Sequence, residues 1–375
     1  MDSNDIFIGL MSGTSLDGVD AALVDFSSGL PQCIATAYLP YPDDLKADIL
    51  ALSVPGDNEI ARLAHLSQRL AREYAQTVRT VLSGSGCPAQ RVRAIGCHGQ
   101  TLRHEPAQGY TLQANHPSLL AELTGLTVIA DFRSRDLAAG GQGAPLVPAF
   151  HEAIFRTPDR HRIILNIGGI ANLTNLSPGH PTGGFDCGPG NMLLDAWITH
   201  CLGRGYDEAG QWGATGQVLP DLLTRLSRHI FFNTPPPKSC GREQFNLAWL
   251  QSLLCGSEAP EDVQATLLAL TVFGIGHAID QECNSRPPDE LFVCGGGVHN
   301  HTLMEALAHR LPTTHVTTTD TLGLPADWVE AVAFAWLARQ TLRGQSGNLP
   351  AVTGARGPRV LGTISLANSG IHRQA

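Results

Sequence analysis

The chain has 375 residues, a formal net charge of −9, 43% hydrophobic residues and 16% charged residues. That length exceeds what one core usually organises and predicts two domains, and the acidic balance excludes a general polyanion-binding surface of the nucleic-acid type. Only two of the 25 basic side chains are lysines, Lys46 and Lys238, so a bound phosphate must be met by backbone donors or arginines.

The first element in chain order is Ile8-Gly9-Leu10-Met11-Ser12-Gly13-Thr14-Ser15-Leu16-Asp17-Gly18-Val19-Asp20. Apolar runs enter and leave it, the second continuing over 19–26, which predicts a β-hairpin. Its turn is dense in backbone N–H groups and short hydroxyls. Glycines let such a backbone approach a ligand closely, and the N–H groups suit phosphate oxygens. Taken alone, an ordinary Gly-rich turn is the favoured reading, and it is the company this turn keeps that overturns it. A P-loop is excluded, because Val19 stands where that motif needs lysine.

A third strand is predicted over 33–39. A long helix follows, with Ile60, Leu63, Leu70, Tyr74, Val78 and Val81 at helical spacing. A strand over 92–97 runs into Cys97-His98-Gly99-Gln100-Thr101. A helix over 117–123 and a short strand over 127–130 lead to Asp131-Phe132-Arg133-Ser134-Arg135-Asp136. Gly140-Gly141-Gln142-Gly143-Ala144-Pro145 reads as a break, with the domain boundary placed near it.

The opening pattern then recurs. A strand over 162–166, a tight turn at Gly168 and Gly169 and a returning strand over 170–176 form a second hairpin. Phe185-Asp186-Cys187-Gly188-Pro189-Gly190-Asn191 precedes an apolar helix over 192–202. Further helices are predicted over 260–280, 302–311 and 326–342, and a strand over 291–294 runs into Gly295, Gly296 and Gly297. The tail over 344–359 reads as loop. The nine cysteines show no Cys-x-x-Cys pair and no zinc spacing, which fits reduced thiols in a cytosol. The acidic N-terminus is unlike a signal peptide, and no run reads as long enough to span a membrane.

Three Gly turns after strands, in this order and spacing, resemble the layout of the sugar-kinase, Hsp70 and actin superfamily. The usual Asp-x-Gly-Thr of its first turn is absent: Met11 holds the Asp position, and the acids are displaced to Asp17 and Asp20. The wording of the first turn is similar to the N-terminal signature of the anhydro-N-acetylmuramic acid kinases. The segments around His98, Arg133, Gly168, Asp186 and 323–334 resemble that family in order along nearly the whole chain.

The resemblance implies an α/β fold of two ribonuclease H-like lobes with an ATP cleft between them. Residues 1–137 would form the first lobe and 138–375 the second, with the last helix able to pack back on the first. It implies ATP-dependent hydrolytic opening of 1,6-anhydro-N-acetylmuramic acid with phosphorylation of O6, in cell-wall recycling, by a cytoplasmic homodimer with no nucleic-acid or membrane partner. Asp186 would be the catalytic base. ATP would lie on Gly13, Thr14, Ser15, Leu16, Asp17, Gly18, Val19, Asp20, Gly168, Gly169 and Gly295, Gly296, Gly297. Glu330, Arg133 and His98 would bind the sugar, and Asp17 and Asp20 would take Mg²⁺.

By residue type alone, Asp186 serves equally as a cap for the helix after it. Arg133 serves either a substrate carboxylate or its neighbours Asp131 and Asp136. Two other readings are weighed: another kinase of the superfamily, and a non-catalytic sensor of the sugar or of ATP. The wording around Asp186 and of the first turn argues against the former. A sensor has no use for a water-activating base, which argues against the latter.

Overall fold

The computed structural model describes residues 5–13, 15–283 and 286–367. Among them the strands are β1 (Ile6–Ser12), β2 (Gly18–Asp25), β3 (Gln32–Pro40), β4 (Val92–Glu105), β5 (Tyr110–Ala114), β6 (Val128–Ala130), β7 (Arg162–Ile167), β8 (Ile170–Leu176), β9 (Gly183–Pro189), β10 (Glu290–Cys294), β11 (His315–Thr318) and β12 (Thr363–Ser365). The α-helices are α1 (Asp43–Leu52), α2 (Glu59–Ser85), α3 (Pro117–Thr124), α4 (Ser134–Ala138), α5 (Val147–Phe155), α6 (Met192–Leu202), α7 (Pro220–Ser227), α8 (Ile230–Asn233), α9 (Leu247–Leu253), α10 (Pro260–Glu282), α11 (His301–Arg310), α12 (Val329–Leu342) and α13 (Pro350–Thr353).

The chain divides into two compact units, Met1–Phe150 with Trp328–Ala375, and His151–Asp327. Each carries one sheet, and the sheets share a topology. In the first the order is β3-β2-β1-β4-β6, and in the second β9-β8-β7-β10-β11. In both, three strands form an antiparallel meander and two more add in parallel. This is the ribonuclease H-like arrangement, present twice. The first sheet gains β5 on β4 and β12 on β6.

In the first unit β1 is buried along its whole length, as a strand covered on both faces must be. Ile6, Ile8 and Leu10 join Leu66, Leu70, Tyr74 and Val78 of α2 in one apolar cluster. The alternate residue Gly9 lies against α12. Gly9 pairs with Gly96 of β4 in register. A methyl at Gly9 would overlap the Ala331 carbonyl oxygen, and one at Gly96 the Phe334 carbonyl oxygen. The helix backbone therefore rests directly on the two strands. Asp5 fixes the same helix by accepting from Arg339 and Arg343, both at 2.8 Å.

A cut at 137 would place residues 138–150 in the second lobe, but they lie in the first unit, whereas the last helix packs on the first sheet as the sequence reading allowed. The physical reason is Asp136. Fully buried, it accepts from Gly143 N–H (2.8 Å), Asn348 Nδ2 (2.6 Å) and Thr353 Oγ1 (2.8 Å), tying the Gly-rich segment to the chain's end.

Other elements also depart from expectation. Ile60 begins α2 but is 89% exposed, because the first turn projects beyond the packed surface. β9 is a strand where its glycines read as turn. The sequence reading held no segment long and apolar enough to cross a membrane, yet α10 meets that standard by length and composition. Here it is a core helix: it packs on β9 and β8 and buries Leu267, Leu270, Ile275 and Ile279.

Substituting Gly9 or Gly96 with Ala is expected to destabilise the protein by roughly 3 kcal/mol or more, since the intruding methyl meets backbone that has no room to relax. Gly84→Ala in α2, where nothing lies within 4 Å, is expected to stabilise by about 0.5–1 kcal/mol. Urea melts of the three variants against the parent check both signs.

Candidate active site

The β1–β2 turn is rooted by two buried side chains. Ser12 Oγ donates to the Gly99 carbonyl at 3.0 Å and lies 3.0 Å from the Tyr74 hydroxyl. Gln100, fully buried, donates through Nε2 to the Gly13 carbonyl at 3.1 Å. Leu16 adopts φ 64°, a left-handed conformation uncommon for leucine, with its side chain in the core. Val19 is wholly buried, and the glycine at 18 is explained by the backbone of Leu39 beside it. The side chains of Leu16 and Val19 thus serve packing. Ser15 and Asp17 are exposed, Gly13 and Asp20 half-buried. Thr14 lies outside the described residues. Asp17 and Asp20 share one neighbourhood, since both carboxylates help to raise the Tyr38 phenol above its usual value after burial has done most of it.

Behind this turn, β4, α4 and α12 bring three of the expected residues together. His98, at the bend of β4, is buried and packs on the Phe334 ring at 4.7 Å. Arg133 presents Nε (3.1 Å) and Nη2 (2.9 Å) to its Nε2, and Nη1 to the Gly143 carbonyl (2.8 Å). Nε2 is therefore the acceptor, and Nδ1 carries the proton. Nδ1 finds no well-aligned acceptor, and the Ser12 and Gly99 carbonyls act on it only weakly. Burial first, and Arg133 second, push the imidazole down to about 3, so it is neutral at pH 7. Burial lowers Arg133 to about 10, against the opposing pull of Glu330 and Asp136. Arg133 thus stands in the field of Glu330 on α12, and its guanidinium remains charged. Of the neighbours weighed for it, Asp136 acts on it through its charge while its carboxylate accepts from Gly143, Asn348 and Thr353, and Asp131 accepts from Ser134 Oγ at 2.5 Å.

In the second unit the β7–β8 turn is clamped by backbone alone. The Gly168 carbonyl accepts from Asn191 N–H (2.9 Å), and the Gly169 carbonyl from Gly190 (2.9 Å) and Met192 (3.1 Å). The start of α6 is thereby satisfied by the turn, and Asn191, not Asp186, stands at its N-cap. The capping role for Asp186 is excluded by its place on β9, opposite Asn172. Its carboxylate accepts from Cys240 N–H at 3.0 Å. The side chain keeps partial exposure, yet the protein around it pushes the carboxyl up from 3.8 to about 7; the Cys240 hydrogen bond and the Lys238 charge oppose that rise. A carboxyl so perturbed is poised to exchange a proton near neutrality.

The glycines of the three turns fall into two kinds. Gly295 and Gly297 are required by the fold, since a methyl on either would strike Asn166 or Ile167 of β7. Around Gly13, Gly168 and Gly169 the nearest atom to an added methyl lies at 3.7–3.8 Å, and around Gly296 nothing lies within 4 Å. The protein itself does not need glycine at these four positions.

Gln100 and Lys238 were not singled out from sequence. Gln100 sits inside a noted motif, but nothing in its type shows that it grips the Gly13 carbonyl. Among the described residues no group of three His, Cys, Asp or Glu is gathered as a metal cage.

The family profile described as anhydro-N-acetylmuramic acid kinase matches residues 5–367. A protein of that name from Thiobacillus denitrificans is 55% identical over 362 residues, covering 96% of each chain. One from Pseudomonas fluorescens is 54% identical over 361 residues, covering 96% of this chain and 99% of its own. Among solved structures, component A of the (R)-2-hydroxyglutaryl-CoA dehydratase of Acidaminococcus fermentans aligns over 90% of this chain and 99% of its own, at 13% identity and a TM-score of 0.48.

The Asp186 environment gives a stability signature that is independent of activity. A folded carboxyl at about 7 holds a proton that the unfolded one, near 3.8, has released. Stability from this group therefore falls as pH rises from about 4 to 7 and stays low above that. Asp186→Asn is expected to melt later than the parent at pH 8, by on the order of 1–3 kcal/mol once discounted for the partial exposure, and to match it near pH 4. Paired melts across that range check the sign.

Proposed function

The chain belongs to the anhydro-N-acetylmuramic acid kinase family, and from that premise we propose that it opens 1,6-anhydro-N-acetylmuramic acid with water and phosphorylates O6 at the expense of ATP. The products are N-acetylmuramic acid 6-phosphate and ADP, and the reaction recycles a cell-wall sugar in the cytoplasm, in a homodimer. The observation that carries the mechanism is Asp186, a partly exposed carboxyl raised to about 7 on β9, the last strand of its sheet.

Asp186 takes a proton from water as the water oxygen bonds to the anomeric carbon. The C1–O6 bond breaks, and O6 takes the γ-phosphoryl group. A base of this kind contributes about 10²–10⁴-fold, so orientation and phosphate electrostatics supply the larger part of the rate. Arg133, charged and fixed through His98 and Gly143, is assigned the sugar's lactyl carboxylate. Glu330 orients the sugar, and neutral His98 fixes the arginine.

ATP is assigned to the turns whose glycines the fold leaves open, Gly13, Gly168, Gly169 and Gly296, with Ser15 and the rest of 13–20 flanking it. In a chain with two lysines, backbone donors are the natural partners of its phosphates. Asp17 and Asp20 would hold Mg²⁺. Two neighbouring carboxylates fit an ion that keeps several waters and phosphate oxygens, and when bound it neutralises phosphate charge.

Turnover in ¹⁸O-water is expected to place the label at C1 of the product sugar. Label in the phosphate, read by mass spectrometry, means that water attacked phosphorus and defeats the ring-opening mechanism. Asp186→Asn is expected to bind both substrates and lose about 10²–10⁴-fold in kcat; near-normal turnover removes it from the chemistry.

Gly168→Ala and Gly169→Ala are expected to leave the melting curve in place while raising KM for ATP about tenfold or more, with the sugar KM little changed, since the methyl intrudes only on a bound ligand. Equal KM values in parent and variants detach this turn from the nucleotide.

A further inference from the structure

Lys238 occupies a place that the mechanism above does not use. It lies in the segment between α8 and α9, which follows the outer edge of β9, the last strand of its sheet. Two backbone contacts fasten that segment around Asp186. Asp186 N–H donates to the Lys238 carbonyl at 3.3 Å, and Cys240 N–H donates to the Asp186 carboxylate at 3.0 Å.

The ammonium is fixed as firmly. It donates to the carbonyls of Phe231 and Phe232, both at 3.3 Å, where α8 ends. It also stands over the rings of Phe231 (4.8 Å) and Phe185 (5.5 Å). A helix C-terminus and aromatic faces both favour a cation. None of these four partners carries a charge, and the salt bridges among the described residues do not include Lys238.

We propose that Lys238 is a positioning residue acting through Asp186: clamped by carbonyls and rings in place of a carboxylate partner, its charge is directed at the neighbouring base and keeps that base ionised for water activation. The inference rests on Asp186 being the base of the proposed reaction. Other titratable groups at this place are the Cys187 and Cys240 thiols, with Glu243 beside Cys240. Burial pushes both thiols well above their usual range, so they are neutral. Lys238 is the one charged group that acts on Asp186 among the described residues. It works against the desolvation that raises the carboxyl to about 7.

The test is a pH–rate profile from pH 5.5 to 9.5 for the parent, Lys238→Met and Lys238→Arg, with melting curves for each. Loss of the cation is expected to move the acid limb of kcat up by about one pH unit. At pH 7 the ionised fraction then falls from about a half to about a tenth, a roughly fivefold loss that is recovered by pH 9. Lys238→Arg keeps the limb in place. If Lys238→Met does not fold, Lys238→Gln, which retains N–H donors for the two carbonyls, carries the same test. A limb at the parent position, or a loss equal at every pH, overturns the proposal and leaves Lys238 a packing residue. Near-normal turnover of Asp186→Asn is a separate failure, that of the base assignment itself.

Discussion

The first unit depends on the direct contact between the backbone of α12 and the paired strands β1 and β4. Gly9 and Gly96 face each other in register, and each leaves room for a helix carbonyl where any side chain would collide. That closeness determines where α12 delivers its residues. Phe334 reaches the His98 ring, His98 accepts from Arg133, and Glu330 places its charge in the field of that arginine. The bonds from Asp5 to Arg339 and Arg343 stop the helix from sliding along the groove so made. A substitution that lifts α12 by a methyl's width therefore disturbs packing and the Arg133 environment together.

The two units repeat one topology but secure their first hairpin turn by different means. In the first, side chains from β4 and its surroundings do so: Gln100 holds the Gly13 carbonyl, and Ser12 is held by Gly99 and Tyr74. In the second, the N–H groups that open α6 take the carbonyls of Gly168 and Gly169. Both devices pin carbonyls to the protein. The carbonyls of Gly13, Gly168 and Gly169 are thereby held by the protein itself.

Periodicity and turn chemistry made much of this visible in the sequence. The two hairpins, α2, α6, α10 and α12 follow from alternation or helical spacing, and the Gly turns from their composition. β9 was not visible because Gly188, Pro189 and Gly190 read as a turn, whereas the strand is held by pairing with β8. Asp186 was ambiguous for the same reason. A carboxylate before a helix is a cap only if the helix starts within reach, and knowing that β9 extends to Pro189 removes the cap reading. Asp136 was weighed as a partner for Arg133 because adjacency is all a sequence displays; it acts on Arg133 through its charge, while its hydrogen bonds go to Gly143, Asn348 and Thr353, the last two over two hundred residues away. Lys238 and Gln100 act through tertiary contacts with no local signature.

The environment of Asp186 shows what a place at the edge of a sheet does to a carboxyl. In open water its carboxyl would be ionised but too weak a base to take a proton from water. Buried without donors it would hold its proton through the physiological range and be no base at all. At the outer edge of β9 burial raises the carboxyl, and two features of the adjoining segment restrain the rise, the Cys240 N–H and the Lys238 charge. His98 meets the opposite outcome in the first unit: buried beside a cation, it is driven down to about 3 and fixed as a neutral acceptor. Desolvation acts on both groups, and in each it opposes the charged form. What differs is the sign of the group's own charge relative to the cation beside it. Lys238 favours the ionised form of an acid, whereas Arg133 disfavours the ionised form of a base. The same pairing of burial with a fixed cation therefore yields a proton acceptor poised near neutrality in one unit and an inert anchor for an arginine in the other.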